Sequence, residues 1–136
     1  MVYDTFKAID KNNCIGVMHL GEFPHGVEFA TFVMARNNYP FEKMSVPDHQ
    51  AIFNGDRVRV PSVADIAGAW DGHLVFLTRP DISLLNQLNP VAFRLRFIPT
   101  TNGVGRAVSI WNPERPDAGA VYGRVREADR LDLISR

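Results

Sequence analysis

Apolar and polar residues alternate with a period of two along most of this 136-residue chain, the pattern of half-buried strands. Cys14 to Leu20 reads as a strand ending at Gly21, and Val27 to Arg36 as a longer one stopped by Asn37-Asn38. The turn-rich Gly21-Glu-Phe-Pro-His-Gly26 between them predicts a hairpin. Phe41 to Phe53 reads as irregular, with Pro40 before it and Pro47 within it. Asp56 to Val60 predicts a short strand stopped by Pro61. Ser62-Val-Ala-Asp65 has the spacing of a capping box, but the glycines that follow argue against a long helix. Pro80 to Asn89 is the one helical pattern, with an acidic start and leucines at helical spacing; it predicts a short helix from Asp81 to Leu88.

Ile66 to Leu77 carries the most specific pattern. One face of this strand holds Ile66, Gly68, Trp70, Gly72, Leu74 and Phe76; the other holds Ala67, Ala69, Asp71, His73, Val75 and Leu77. A tryptophan between two glycines of its own face is a packing device. The glycines allow close approach and bending, so the indole can close the end of a barrel or sandwich. Downstream, Val91 to Ile98 alternates cleanly, Thr101-Asn102-Gly103 is a turn, and Val104 to Trp111 returns as a strand. Asn112 to Gly119 is a loop, Ala120 to Glu127 a further strand, and Leu131 to Ile134 a last short one. Seven or eight strands with short turns predict a mainly β, antiparallel fold, a small β-barrel with one short helix, in a single domain spanning residues 1–136.

Composition narrows the function classes. Hydrophobic residues make up 46% and charged residues 22%, enough for a packed core. Fifteen basic residues balance fifteen acidic ones, which argues against a nucleic-acid binder driven by net charge. Cys14 is the sole cysteine, so neither an internal disulfide nor a cysteine metal site can form. The start of the chain lacks a secretory pattern and no apolar run reaches membrane-spanning length, which makes a cytoplasmic protein without membrane association the expectation.

Two stretches resemble a known family. Gly68-Ala-Trp-Asp-Gly72 is a literal match to the motif that names the GXWXG family, and it fits the Gly-x-Trp of lipocalin-like barrels. Met1 to Met18 resembles the companion domain of unknown function found with that family, where a Tyr-Asp pair precedes an aspartate-rich turn and an Ile/Leu-Gly-x-Met strand; Tyr3 and Asp4 then correspond to interior strand positions. In the family the GXWXG segment comes first, whereas here the order is reversed. That departure implies a permuted chain, a piece of a longer repeat, or a barrel completed by a second chain. The resemblance implies a lipocalin-like β-barrel with an apolar interior, and no activity that can be carried to residues.

Candidate chemistry is sparse. Asp71 and His73 share a strand face, and a carboxylate that orients an imidazole is acid–base equipment. Same-face neighbours lie nearly seven Å apart, roughly two residue rises, so a polar strand end is the simpler account. Arg94 and Arg96 face away from Phe93, Leu95 and Phe97 and are expected outside; turned inward, Arg94 would clamp an anion. The four histidines show no metal-site spacing, and Gly103-Val-Gly105 lacks the helix and Lys-Ser/Thr of a phosphate loop, so neither metal nor cofactor is expected. Cys14 reads as a buried thiol. The leading expectation is a small hydrophobic or amphipathic molecule bound in the barrel, with Trp70, Phe76, Arg94, Trp111 and Tyr122 as lining candidates. Two alternatives stand beside it. One is a small barrel isomerase, cyclase or lyase using Asp71 and His73, with Arg94 or Tyr122 holding an oxyanion. The other is an assembly module without ligand. The reversed motif order and an unpaired sheet edge would predict a homodimer.

Overall fold

The computed structural model describes residues 2–36, 46–77, 91–99, 104–110, 120–127 and 131–135. Its strands are β1 (Val2–Asp10), β2 (Asn13–Leu20), β3 (Val27–Ala35), β4 (Gly68–Phe76), β5 (Val91–Pro99), β6 (Val104–Ile110), β7 (Ala120–Glu127) and β8 (Leu131–Ser135). Each pairs antiparallel with the next, and β8 returns to β1, closing a barrel in chain order. One helix, α1 (Val46–Phe53), separates β3 from β4. The mainly β, antiparallel, barrel-like fold expected from the alternation is therefore observed. The β1–β8 ladder also removes the unpaired edge that motivated a second chain.

The strand inventory differs from the sequence pattern in two places. Val2–Asp10 is a full strand, although its alternation is weak. Its inward face mixes Asp4 with Phe6 and Ala8, while its outward face carries the buried Tyr3 and Thr5. Asp56 to Val60, expected as a strand, makes a single bridge between Arg59 and Ala8. The reason is occupancy: β1 already has β2 and β8 as partners, and β8 reaches only to Phe6, so one pair is left beyond its end.

The stretch expected to be irregular contains α1. Pro47 falls in the first turn, where a missing N–H costs nothing, and Asp48 complements the helix N-terminus. The helix lies against the outer wall. His49 Nδ1 is 2.6 Å from Thr31 Oγ1 of β3, and Lys7 of β1 donates to the Phe53 carbonyl with its ammonium over the Phe53 ring. Ile15, Val17 and Val33 point outward and are buried, so this side of the wall has apolar residues on both faces. The helix expected from Asp81 to Leu88 lies outside the described residues, as does Phe41 to Ser45.

Inside the barrel, four phenylalanines form an edge-to-face chain: Phe97 to Phe6, Phe6 to Phe32, and Phe32 to Phe93, with ring centroids 5.3, 5.3 and 5.8 Å apart. Phe32 lies over Gly16 of β2, and Phe93 over Gly72 of β4, each its partner across the ladder. A Cβ on either glycine would fall 2.0 or 2.3 Å from a ring carbon, so each ring occupies the space of a missing side chain.

Candidate functional site

The two ends of the barrel are built differently. At the end where β4 begins, Ser62 and Asp65 form a reciprocal capping box, Ser62 N to Asp65 Oδ2 and Asp65 N to Ser62 Oγ, both 3.1 Å. These bonds, with the Arg59 guanidinium 3.1 Å away, hold the Asp65 carboxyl below its ordinary pKa. The turn thus fixed inserts Val63 and Ile66 into the core. Trp70 is buried beside them, its Nε1–H donating to the Ile66 carbonyl at 2.9 Å. Arg36 stacks on the indole at 4.1 Å and donates to the carbonyls of Lys11, Ala67 and Asp65. Gly68 adopts φ +104°, with the Arg36 guanidinium beside it, a backbone state that other residues rarely take.

The opposite end holds the start of β1, the β2–β3 loop and the end of β4. Leu20 and Val27 face each other across the β2–β3 ladder and are 56% and 73% exposed. Val2, Phe29 and Phe76 are partly buried and pack against the core, with the Phe29 and Phe76 rings stacked 6.2 Å apart. The β2–β3 loop is fastened to the outside by Tyr3, whose hydroxyl accepts from Gly26 N at 2.8 Å and whose ring stacks on His19 and meets the edge of Phe23.

Asp4 sits just inside this end. Across the ladders it lies opposite Met18 of β2 and Leu133 of β8, and Val2 and Phe6 flank it on its own face. The same row continues through Ala30 to Phe76 on one side and to Val125 on the other. Asp4 is the one polar side chain in this apolar line. Its Oδ1 is buried and has no hydrogen-bond partner among the described residues. Burial, with a smaller contribution from the Asp132 charge, pushes its carboxyl up to about 8. The sequence resemblance marked Tyr3 and Asp4 together as interior. Asp4 is; Tyr3, one residue earlier, points outward, as alternation requires.

The expected acid–base pair is placed elsewhere. Asp71 and His73 alternate with the buried Gly72 and Leu74, so both face outward. Asp71 Oδ1 accepts from Arg94 Nε at 2.9 Å, a half-exposed cross-strand ion pair on the outer wall. Neither Asp71, His73 nor Arg94 therefore lines the interior. Trp70 is interior but belongs to the plug, while Phe76 belongs to the apolar end. Trp111 and the side chain of Tyr122 lie outside the described residues. Cys14 is buried, and desolvation pushes its thiol up to about 12, far from a reactive thiolate. His49 Nε2 is also buried and has no hydrogen-bond partner among the described residues; burial holds its pKa below the ordinary value. It lies between α1 and the outer wall, not in the barrel.

Among the described residues no three His, Cys, Asp or Glu side chains converge as metal ligands, and no helix is long and apolar enough to cross a membrane. Comparison with family models, with curated proteins and with solved structures finds no match for this chain.

Proposed function

We propose that this protein binds a small apolar or amphipathic molecule at the barrel end formed by Leu20, Val27, Phe29 and Phe76. The observation that carries this reading is the contrast in side chains between the ends. One is filled by Trp70, Ile66 and Val63 under Arg36. The other leaves two large aliphatic side chains in water next to partly buried aromatics. Grouped exposed apolar residues mark a binding surface, and those at a barrel mouth are placed for a ligand. The resemblance of Gly68 to Gly72 to lipocalin-like barrels supports the same reading. An interior acid–base enzyme loses its support, because Asp71 and His73 stand on the outer wall with Arg94. A cytoplasmic location belongs to this reading, since the lone buried thiol of Cys14 calls for no oxidising compartment.

The test is titration of the neutral dye N-phenyl-1-naphthylamine into the wild type and into the Leu20→Ser/Val27→Ser double variant. Saturable fluorescence that weakens about tenfold in the variant, equivalent to about 1.4 kcal/mol, is the expected result. Dye binding that is absent, or equal in both proteins, overturns the reading. Light scattering during the titration identifies a second copy of the chain as the occupant. A mass above 15.3 kDa that returns to the monomer value in the double variant would replace the small molecule with a dimer contact.

A further inference from the structure

We infer that Asp4 is the polar contact of this site, and that its carboxyl group donates a hydrogen bond to a neutral oxygen acceptor on the ligand, of the ketone, aldehyde, ester or alcohol class. The inference rests on the proposed binding site and specifies its chemistry. Three features of the barrel lead to it.

The first is position. Asp4 stands one row inside the apolar end, between Met18 and Leu133 and in line with Ala30 and Phe76. A molecule that packs on Phe76 and Val2 and extends inward meets this carboxyl first. The second is the open valence. Oδ1 has no hydrogen-bond partner among the described residues, and an unsatisfied buried polar atom costs about 1–3 kcal/mol. Core strands rarely keep such an atom unless something else uses it. The third is charge. β2 and β3 present Met18 and Ala30 to Asp4, neither of which titrates. From β8 comes Leu133, with Asp132 beside it accepting from Thr5 Oγ1 at 2.6 Å. Tyr3 and His19 stack on each other outside the wall. No described cation balances a carboxylate here, and a pKa of about 8 leaves Asp4 protonated at neutral pH.

A protonated carboxyl in an apolar enclosure is a donor and a weak acceptor. It gains from a carbonyl or hydroxyl oxygen. An anionic ligand would lose its hydration for one bond. An ammonium ligand would require Asp4 to ionise and both charges to be desolvated, which costs more than the pair returns. The recognised group is therefore neutral.

The experiment is displacement of N-phenyl-1-naphthylamine by ethylbenzene, acetophenone, benzoate and benzylamine, which share one ring and differ in the polar group. Wild type, Asp4→Leu and Asp4→Asn are compared at about pH 6 and about pH 10, either side of the Asp4 titration. Wild type at low pH is expected to favour acetophenone over ethylbenzene by about tenfold. Asp4→Leu should bind ethylbenzene at least as well and lose the preference. Asp4→Asn, whose amide still donates, should retain part of it at both pH values, whereas wild type loses it at high pH. At about pH 6, where Asp4 is protonated and benzylamine and benzoate are charged, equal preference in wild type and Asp4→Leu, or a wild-type preference for benzylamine or benzoate, overturns this inference alone, with dye binding intact. Failure of the dye and all four probes to bind overturns the site itself.

Discussion

The two ends of this barrel use their polar groups in opposite ways. At the plugged end the polar groups that build the plug are answered. The Trp70 N–H reaches Ile66, Arg36 reaches three carbonyls and an indole face, and Ser62 and Asp65 cap each other. At the apolar end a carboxyl is sealed among Met18, Leu133 and Phe6 with one oxygen unanswered, under exposed Leu20 and Val27. A satisfied network stabilises one arrangement. An unsatisfied one lowers stability and is characteristic of a site kept for a ligand.

The largest expected effect is at the plug. Trp70→Ala removes a fully buried indole from a site whose backbone is fixed on three sides, so little collapse can fill the space. The expected loss is about 3–5 kcal/mol, read from denaturant melts. A loss below about 1 kcal/mol would show that the plug is not what closes that end.

Asp4 predicts the reverse sign. Its folded pKa of about 8 lies above the unfolded value of 3.8, so between these values the folded state holds a proton that the unfolded chain has released. Stability then falls as pH rises through that window and levels off above it. Asp4→Leu should remove this slope and stabilise the protein at pH 7 and above, by a few kcal/mol. Parallel melts across pH 4 to 9 read it. A wild-type slope unchanged in Asp4→Leu would place the titration on another group.

A smaller effect separates shape from charge at the plug. Arg36→Met keeps an unbranched stem over Trp70 but leaves the Lys11, Ala67 and Asp65 carbonyls without their donor, an expected loss of about 2 kcal/mol. Arg36→Lys keeps the charge and loses the planar fork, and should recover less than half of that. Full recovery by lysine would make the contact a simple point charge.

Much of the fold was legible because alternation survives wherever one face of a strand is packed and the other is wet. Val91 to Ile98 shows this best: Phe93, Leu95 and Phe97 are buried and Arg94 and Arg96 exposed, as the pattern predicts. Legibility failed where both faces are covered. β1 carries Tyr3 and Thr5 under an outer layer and Asp4 within, so its polarity pattern tells little about direction. Helix α1 was hidden by Pro47, which reads as a breaker in isolation and fits as a first-turn residue once Asp48 follows it. Of the site, the tryptophan plug was visible through Gly68-Ala-Trp70, but its Arg36 lid was not, because 34 residues separate the two and no local pattern links them. Asp71 and His73 drew attention through residue type alone; Asp4, a lone carboxylate in a sequence with fourteen other acids, carried no signal until its neighbours were known.

The closing seam of the barrel has a mechanical consequence. Val2 lies opposite Ser135, and the ladder then runs through Tyr3–Ile134 and Asp4–Leu133 to Phe6–Leu131. The two strands are antiparallel and meet at their outer ends, so tension applied at Val2 and Ser135 loads one pair at a time. The seam peels like a zipper and does not resist in shear, although among the described residues it is the strand pairing of greatest sequence separation. Asp4 occupies the third pair. Two steps of peeling would wet its carboxyl and let it ionise, so a pull applied at Val2 and Ser135 acts first on the residue proposed to hold the ligand, while Phe6 and the aromatic chain behind it stay shut.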